Sequence, residues 1–143
     1  MSRSTVLILA ASLAGGLHAQ NTNPLIAEAR GSYNAVKNFL MKAADKMPEE
    51  AYSFKPTPEL QTFAQRVAHV AGQLGTCTSL TGERKQSDAN TKTAKADLAA
   101  ALKASFDACD AAWDSMNDKT AVEMVAGRGG TIPFKRMYTV MVP

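Results

Sequence analysis

The stretch LAAALKASFDACDAAWDSM, residues 98–116, decides the fold class of this chain. Its apolar residues recur at steps of three and four, which is the spacing that places side chains on one face of an α-helix. The stripe consists of Leu98, Leu102, Phe106, Cys109, Trp113 and Met116. The pattern predicts a long amphipathic helix over about residues 92–116, with this stripe in the core.

The same spacing predicts a first helix over residues 24–46. Asn23 precedes it and is a residue type that caps helices. Pro24 suits the first turn, where a backbone N–H has no partner to lose. The residue before Pro48 is disfavoured in a helix, so we expect the helix to end near Lys46.

A second helix is predicted over residues 58–80, after the proline-containing link MPEEAYSFKPTPE (residues 47–59). Thr57 is the predicted N-cap, because the proline that follows it suits the first helical position. We expect Tyr52 and Phe54 to fold back over one end of the core. The polar stretch TGERKQSDANTK, residues 81–92, reads as a loop between this helix and the next.

A fourth helical segment is predicted to start at Ile132, after the turn VAGRGGT (residues 125–131). No run of alternating apolar and polar residues is long enough to predict a strand. The fold class is therefore all-α. The arrangement predicted is an up-down four-helix bundle whose fourth helix is short or incomplete.

The N-terminus has the features of a secretory signal peptide. A short cationic start at Arg3 is followed by the apolar run Val6–Ala14 and by a small residue, Ala19, before a plausible cleavage site. We predict a signal peptide over residues 1–19 and a domain over residues 20–143. The apolar run is shorter than the roughly 20 residues that span a bilayer, so we expect an exported protein, periplasmic or secreted. An N-terminal membrane anchor is the alternative.

Charge and composition argue against nucleic-acid binding. The formal net charge is only +3, aromatic residues make up 6% of the chain, and the basic residues are dispersed among acidic ones. A nucleic-acid-binding surface needs clustered Lys and Arg. We therefore expect no nucleic-acid partner. We also expect that the protein is not associated with a membrane after signal cleavage.

His69 is the one histidine outside the predicted signal peptide, since the other, His18, lies within it. On a helical wheel His69 lies away from the apolar side of its helix, so periodicity predicts a solvated or loosely packed side chain. A zinc site needs three or four protein donors, and the scattered Asp and Glu residues nominate no partners.

Two cysteines, Cys77 and Cys109, remain after export. An oxidising compartment permits a disulfide, while two buried free thiols are an equally good interpretation. Cys109 lies on the apolar stripe and is predicted to be buried.

Three segments resemble the DinB-like (DinB/YfiT) superfamily, in particular its exported members. They are EEAYSFKPTPELQTFAQRVAHVAGQ (49–73), FDACDAAWDSM (106–116) and GGTIPFKRMYTVMVP (129–143). The resemblance implies a four-helix bundle that is often a homodimer. It also implies a divalent metal, zinc or nickel, held by one histidine on the second helix and a His-x-x-x-His pair on the last. His69 matches the first of these positions.

The resemblance carries two expectations about function. The first is a metal-dependent enzyme, either a hydrolase or a transferase that uses a low-molecular-weight thiol or another small-molecule substrate. The second is a non-catalytic helical binding or dimerisation module in the cell envelope. The histidine pair is expected just beyond the segment 133–143, so the chain as given is expected to bind zinc or nickel weakly or not at all. His69 is expected to point into a partly open groove beside the fourth segment, near Met137 or Met141.

Overall fold

The computed structural model of the protein describes residues 23–126 and 133–141. Within these ranges the chain is mostly helical, which confirms the all-α class. The elements are α1 (Pro24–Lys46), a first 3₁₀ turn (Glu49–Ser53), α2 (Phe63–Ala71), α3 (Leu74–Thr81), a second 3₁₀ turn (Ala89–Thr91), α4 (Lys95–Asp114), α5 (Asp118–Ala121), β1 (Met124–Val125), β2 (Phe134–Lys135) and α6 (Arg136–Met141). No helix in these ranges is long and apolar enough to cross a membrane. The predicted signal peptide, residues 1–19, lies outside the described residues.

Helix α1 has the bounds that the sequence predicts, but its first turn is capped by a residue that is distant in the sequence. The side chain of Asn23 makes no capping hydrogen bond to α1. Instead, the carboxylate of Asp118 accepts hydrogen bonds from the backbone N–H groups of Leu25 (3.1 Å) and Ile26 (2.9 Å). The amide oxygen of Asn23 in turn accepts from the backbone N–H of Asp118 at 3.1 Å. A carboxylate at this end also complements the positive end of the helix dipole.

The predicted second helix starts later than expected, because a stronger cap lies downstream of Thr57. The hydroxyl of Thr62 accepts a hydrogen bond from the backbone N–H of Gln65 at 3.1 Å, and the side chain of Gln65 accepts from the backbone N–H of Thr62 at 2.8 Å. This reciprocal capping box fixes the start of α2 at Phe63. The prediction of Thr57 as the cap was wrong.

The same predicted helix is also interrupted, at Gly72 and Gln73. The carbonyl of Ala71, left free at the end of α2, accepts a hydrogen bond from the hydroxyl of Ser87 at 3.1 Å. The chain then resumes as α3. A β-carbon on Gly75 would lie 2.7 Å from the carbonyl oxygen of Lys85, so only glycine lets the loop after α3 pass this close.

The link between α1 and α2 covers the core with one of its two predicted aromatic residues. Tyr52 is buried, donates a 2.6 Å hydrogen bond to the carbonyl of Ala44, and packs edge-on against Phe63 with 5.0 Å between ring centroids. Phe54 is 60% exposed. The first 3₁₀ turn ends at Ser53, and the extended backbone of Phe54 turns its ring to solvent. The prediction was correct for Tyr52 and wrong for Phe54.

Helix α4 is the centre of the fold, and all six residues of its predicted stripe are buried. It packs against α1, α2, α3 and α6. Tyr33 of α1 lies over it, with its ring centroid 5.8 Å from that of Trp113. The Tyr33 hydroxyl donates to Asp110, 3.0 Å away, which also pairs with Lys37. Burial, followed by the charge of Asp110 and its hydrogen bond, raises the pKa of Tyr33 well above its ordinary value of 10.0.

Cys77 of α3 and Cys109 of α4 form a disulfide, with 4.8 Å between their Cα atoms. Of the two alternatives that the sequence left open, the bridge is the one present. Both residues are buried, as predicted for Cys109. The bridge fixes α3 to the most buried face of α4.

The predicted fourth helix is preceded by a strand. Phe134–Lys135 pairs antiparallel with Met124–Val125, which the sequence patterns did not predict, and α6 begins at Arg136. In α6, Met137, Thr139 and Val140 are buried. The start predicted at Ile132, and most of the glycine-containing turn before it, lie outside the described residues.

Candidate functional site

His69 lies in the last turn of α2, and its side chain is exposed. This confirms that it lies off the apolar side of its helix. It lines a groove of about 720 Å³ between α2 and the two 3₁₀ turns. Half of the lining residues carry a side-chain hydroxyl or amide group other than a phenol: Ser53, Gln61, Thr62, Gln65, Asn90 and Thr93.

The groove is not where the sequence placed it. The prediction set His69 beside the fourth segment, near Met137 or Met141, but neither residue is among those that line the groove in the described ranges. Helix α6 packs against α3, α4 and α5 instead. The break at Gly72 separates α2, which carries His69, from α3, which meets α6.

Two charged residues, Glu49 and Lys92, line the groove. The ammonium group of Lys92 is engaged with Asp88 at 2.9 Å. The hydrogen bond from Lys92 lowers the pKa of the exposed Asp88 carboxyl, and the same bond raises the pKa of Lys92. Both groups are therefore charged near neutral pH, and Glu49 contributes a negative charge to the groove lining.

The hydroxyl of Tyr52, which also lines the groove, is not free for acid–base chemistry with His69. It donates its proton to the Ala44 carbonyl. Burial, followed by the charges of Asp45 and Glu49, raises the pKa of Tyr52 above its ordinary value. Among the described residues, no partner forms a hydrogen bond or an ion pair with the side chain of His69. It is an uncommitted imidazole on the wall of a polar groove.

The donors in the groove do not form a metal site. Among the described residues, no three His, Cys, Asp or Glu side chains form a group that could hold a metal ion. The groove offers the imidazole of His69 and the carboxylate of Glu49, whereas zinc takes at least three protein donors. Nickel or zinc, as the resemblance implies, therefore does not fit the donors described in this groove.

The thiols add no nucleophile. Cys77 follows His69 by eight residues, but its sulfur is bonded to that of Cys109. A cysteine–histidine nucleophilic pair is thus ruled out in this oxidised structure.

Comparison with the profiles of known protein families, with curated proteins and with solved structures finds no match to this chain. The DinB-like resemblance therefore rests on the quoted segments and stays a prediction.

Sequence reasoning found His69 but missed the rest of the groove. Glu49, Asn90 and Lys92 come from short 3₁₀ turns or the residues beside them, where no periodic pattern indicates which way a side chain points. The polar composition of the 81–92 loop was the one available signal, and it predicts a loop without saying what the loop covers.

Proposed function

We propose that this chain is a helical bundle of the DinB-like type, and that its polar groove around His69 binds a small molecule. The observation that carries the proposal is the exposed and uncommitted imidazole of His69 in a groove of about 720 Å³. A neutral imidazole donates from one nitrogen and accepts at the other. With the amides of Gln65 and Asn90 nearby, the groove suits a compact ligand with several hydrogen-bonding groups.

We also propose that α1, the α2–α3 pair, α4 and α6 are the four helical layers of an up-down bundle. Support comes from α4, which packs against each of the other three layers. The six residues of α6 fit the short fourth helix that the sequence predicts.

Export to the periplasm or the medium is part of the proposal. It is supported by the disulfide between Cys77 and Cys109, because such bridges persist in oxidising compartments and are rare in the cytosol. The signal peptide predicted over residues 1–19 would supply the route.

Metal-dependent hydrolysis or thiol transfer is the second candidate. One observation favours it: His69, the residue that matches the first ligand position, faces a groove large enough for a substrate. The enzyme would need further donors besides His69 and Glu49. We derive no catalytic step from these two residues.

The experiment that separates the candidates follows the ¹³C-labelled imidazole of His69 by NMR. Zinc chloride and S-methylglutathione, whose blocked sulfur cannot reduce the disulfide, are titrated separately. Small-molecule binding predicts saturable shifts of the His69 ring with S-methylglutathione. Metal-dependent function predicts saturable shifts of the His69 ring with zinc. It also predicts that His69→Ala abolishes zinc binding, which calorimetry measures because the variant has no His69 ring signal.

The matched control is Gln86→Ala, an exposed residue that is not part of the groove lining. It should leave both titrations unchanged. Absence of any ring shift with either probe at millimolar concentration would contradict the assignment of this groove as a binding site for these ligand classes.

A further inference from the structure

The link between α1 and α2 presents two large apolar side chains to solvent. Phe54 is 60% exposed and Leu60 is 44% exposed. Both side chains line a recess of about 250 Å³ at the end of α1 and the start of α2. The other residues that line it are Met47, Pro56, Gln61, Phe63 and Arg66. The side chains around the recess are therefore apolar apart from one amide and one guanidinium group.

Backbone hydrogen bonds hold this link in one shape. The backbone N–H of Phe63 donates to the carbonyl of Phe54 at 2.9 Å, which closes the link into a loop. A turn inside the loop is fixed by a hydrogen bond of 3.1 Å from the backbone N–H of Leu60 to the carbonyl of Thr57. The ring of Pro56 restricts the backbone further. The exposed ring of Phe54 is thus part of a preformed recess, and compact loops of this kind frequently carry function.

Arg66 is the one charged residue that lines this recess within the described ranges. It is exposed, and no described residue forms an ion pair or a hydrogen bond with its guanidinium group. Arg66 lies near the start of α2, so the positive end of the helix dipole adds to its charge and does not offset it. An unpaired guanidinium group beside an apolar recess suits a carboxylate, which it can bind through two parallel hydrogen bonds.

We propose that this recess binds a small amphipathic carboxylate, which is an apolar ring or short chain that ends in one carboxylate group. The carboxylate pairs with Arg66, and the apolar part displaces water from the rings of Phe54 and Phe63. Typical ligand pockets have volumes of roughly 300–1,000 Å³. The recess is slightly smaller, so we expect a compact ligand and a dissociation constant in the millimolar range.

This site is separate from the groove around His69. Among the described residues, Gln61 is the one residue that lines both. The groove presents mainly polar side chains, whereas the recess presents mainly apolar ones. The two proposals can therefore fail independently, and His69→Ala should leave binding in the recess unchanged.

The test is a titration with hydrocinnamate, a phenyl ring on a short chain that ends in a carboxylate. It is followed by NMR of the protein labelled with ¹³C in its methionine methyl groups. Met47 lines the recess, whereas Met116 is buried in the core and reports on the fold. We expect a saturable shift of the Met47 signal and no shift of the Met116 signal. Hydrocinnamamide has nearly the same shape without the charge and should bind about three- to tenfold more weakly.

Two variants with matched controls assign the binding to named side chains. Arg66→Gln should raise the dissociation constant of hydrocinnamate about three- to tenfold and leave that of the amide unchanged. Its control, Arg84→Gln, removes an exposed arginine outside the recess and should change neither constant. Phe54→Ala should weaken both ligands about three- to tenfold, because an apolar wall is lost. Its control, Phe39→Ala, removes an exposed phenylalanine of α1 and should weaken neither. Circular dichroism checks that all four variants keep their helical content.

Absence of a saturable Met47 shift up to about 20 mM hydrocinnamate overturns the proposal. Equal affinities for the acid and the amide overturn it as well, because Arg66 would then not recognise the charge. The same holds if either variant behaves like its control, or if His69→Ala weakens the binding, which would place the ligand in the other groove.

Discussion

The disulfide between α3 and α4 should supply a large share of the stability of this fold. Cys77 and Cys109 are separated by 32 residues. The loop-closure relation gives about 3.7 kcal/mol at 25 °C for the entropy that such a bridge removes from the unfolded chain. Native domains of this size have free energies of unfolding of roughly 5–15 kcal/mol. Reduction should therefore leave the protein folded but markedly easier to unfold.

The assay is urea unfolding, followed by far-UV circular dichroism, with and without a phosphine reductant. The free energy of unfolding should fall by about 3–4 kcal/mol on reduction. The Cys77→Ala/Cys109→Ala variant should start at the reduced level or slightly below it, because it also loses buried sulfur contacts. Reductant should not change the variant further.

Mass spectrometry after alkylation of the unfolded protein provides the control, with two labels added after reduction and none before. If reduction adds both labels and the urea midpoint does not move, the bridge does not restrict the unfolded chain, and the reasoning fails. Two labels without reductant would show that the bridge is absent from the purified protein.

The remaining predictions concern three hydrogen-bonding side chains. Asp118→Ala should lower the free energy of unfolding by about 2 kcal/mol, since it leaves two N–H groups of α1 without acceptors. In the same urea assay the control Asp107→Ala, which removes an exposed ion pair, should lower the free energy of unfolding by at most about 0.5 kcal/mol. Tyr52→Phe should cost about 1 kcal/mol in that assay by leaving the Ala44 carbonyl without its buried donor. Tyr33 has a folded-state pKa above its unfolded value of 10.0, so its contribution is fully present below pH 10 and is lost as the pH rises towards the folded value. The fall in stability between pH 9 and 11 should accordingly be shallower in Tyr33→Phe, and an unchanged slope would contradict the assignment.

The sequence predicted the elements whose ends and faces are set by local rules. Helix α1 has its predicted bounds because Pro24 and Pro48 limit it from both sides. The burial of the α4 stripe was predicted correctly, because apolar residues that recur without interruption at steps of three and four indicate a single helix face. Thr57 and Thr62 are both residues that could cap the start of α2. The cap is Thr62, because its side chain and that of Gln65, three positions later, form reciprocal hydrogen bonds with the backbone.

Long-range contacts explain what the sequence missed. No residue near Gly75 in the sequence indicates that the backbone of Lys85 packs directly against it. This close contact accompanies the division of one predicted helix into α2 and α3. The same division moved His69 away from α6. The groove was predicted in the wrong place because the resemblance set it beside the fourth helical segment, whereas α6 packs against α3, α4 and α5 and the groove lies between α2 and the two 3₁₀ turns.

The link between Asp118 and the start of α1 gives folding an order in time. The two hydrogen bonds that secure the first turn of α1 join residues 92 and 93 positions apart in the chain, whereas the bridge between α3 and α4 closes a segment of 32. Helix α1 comes first in the chain, yet its first turn lacks this acceptor until the segment that follows α4 and carries Asp118 has joined the fold. Because contacts distant in sequence carry the larger closure entropy, α2, α3 and α4 should assemble before α1 docks. A chain truncated before Asp118 should therefore have a frayed first turn of α1. Proteases should cleave it there more readily than they cleave the full-length protein, in which Asp118 caps this turn.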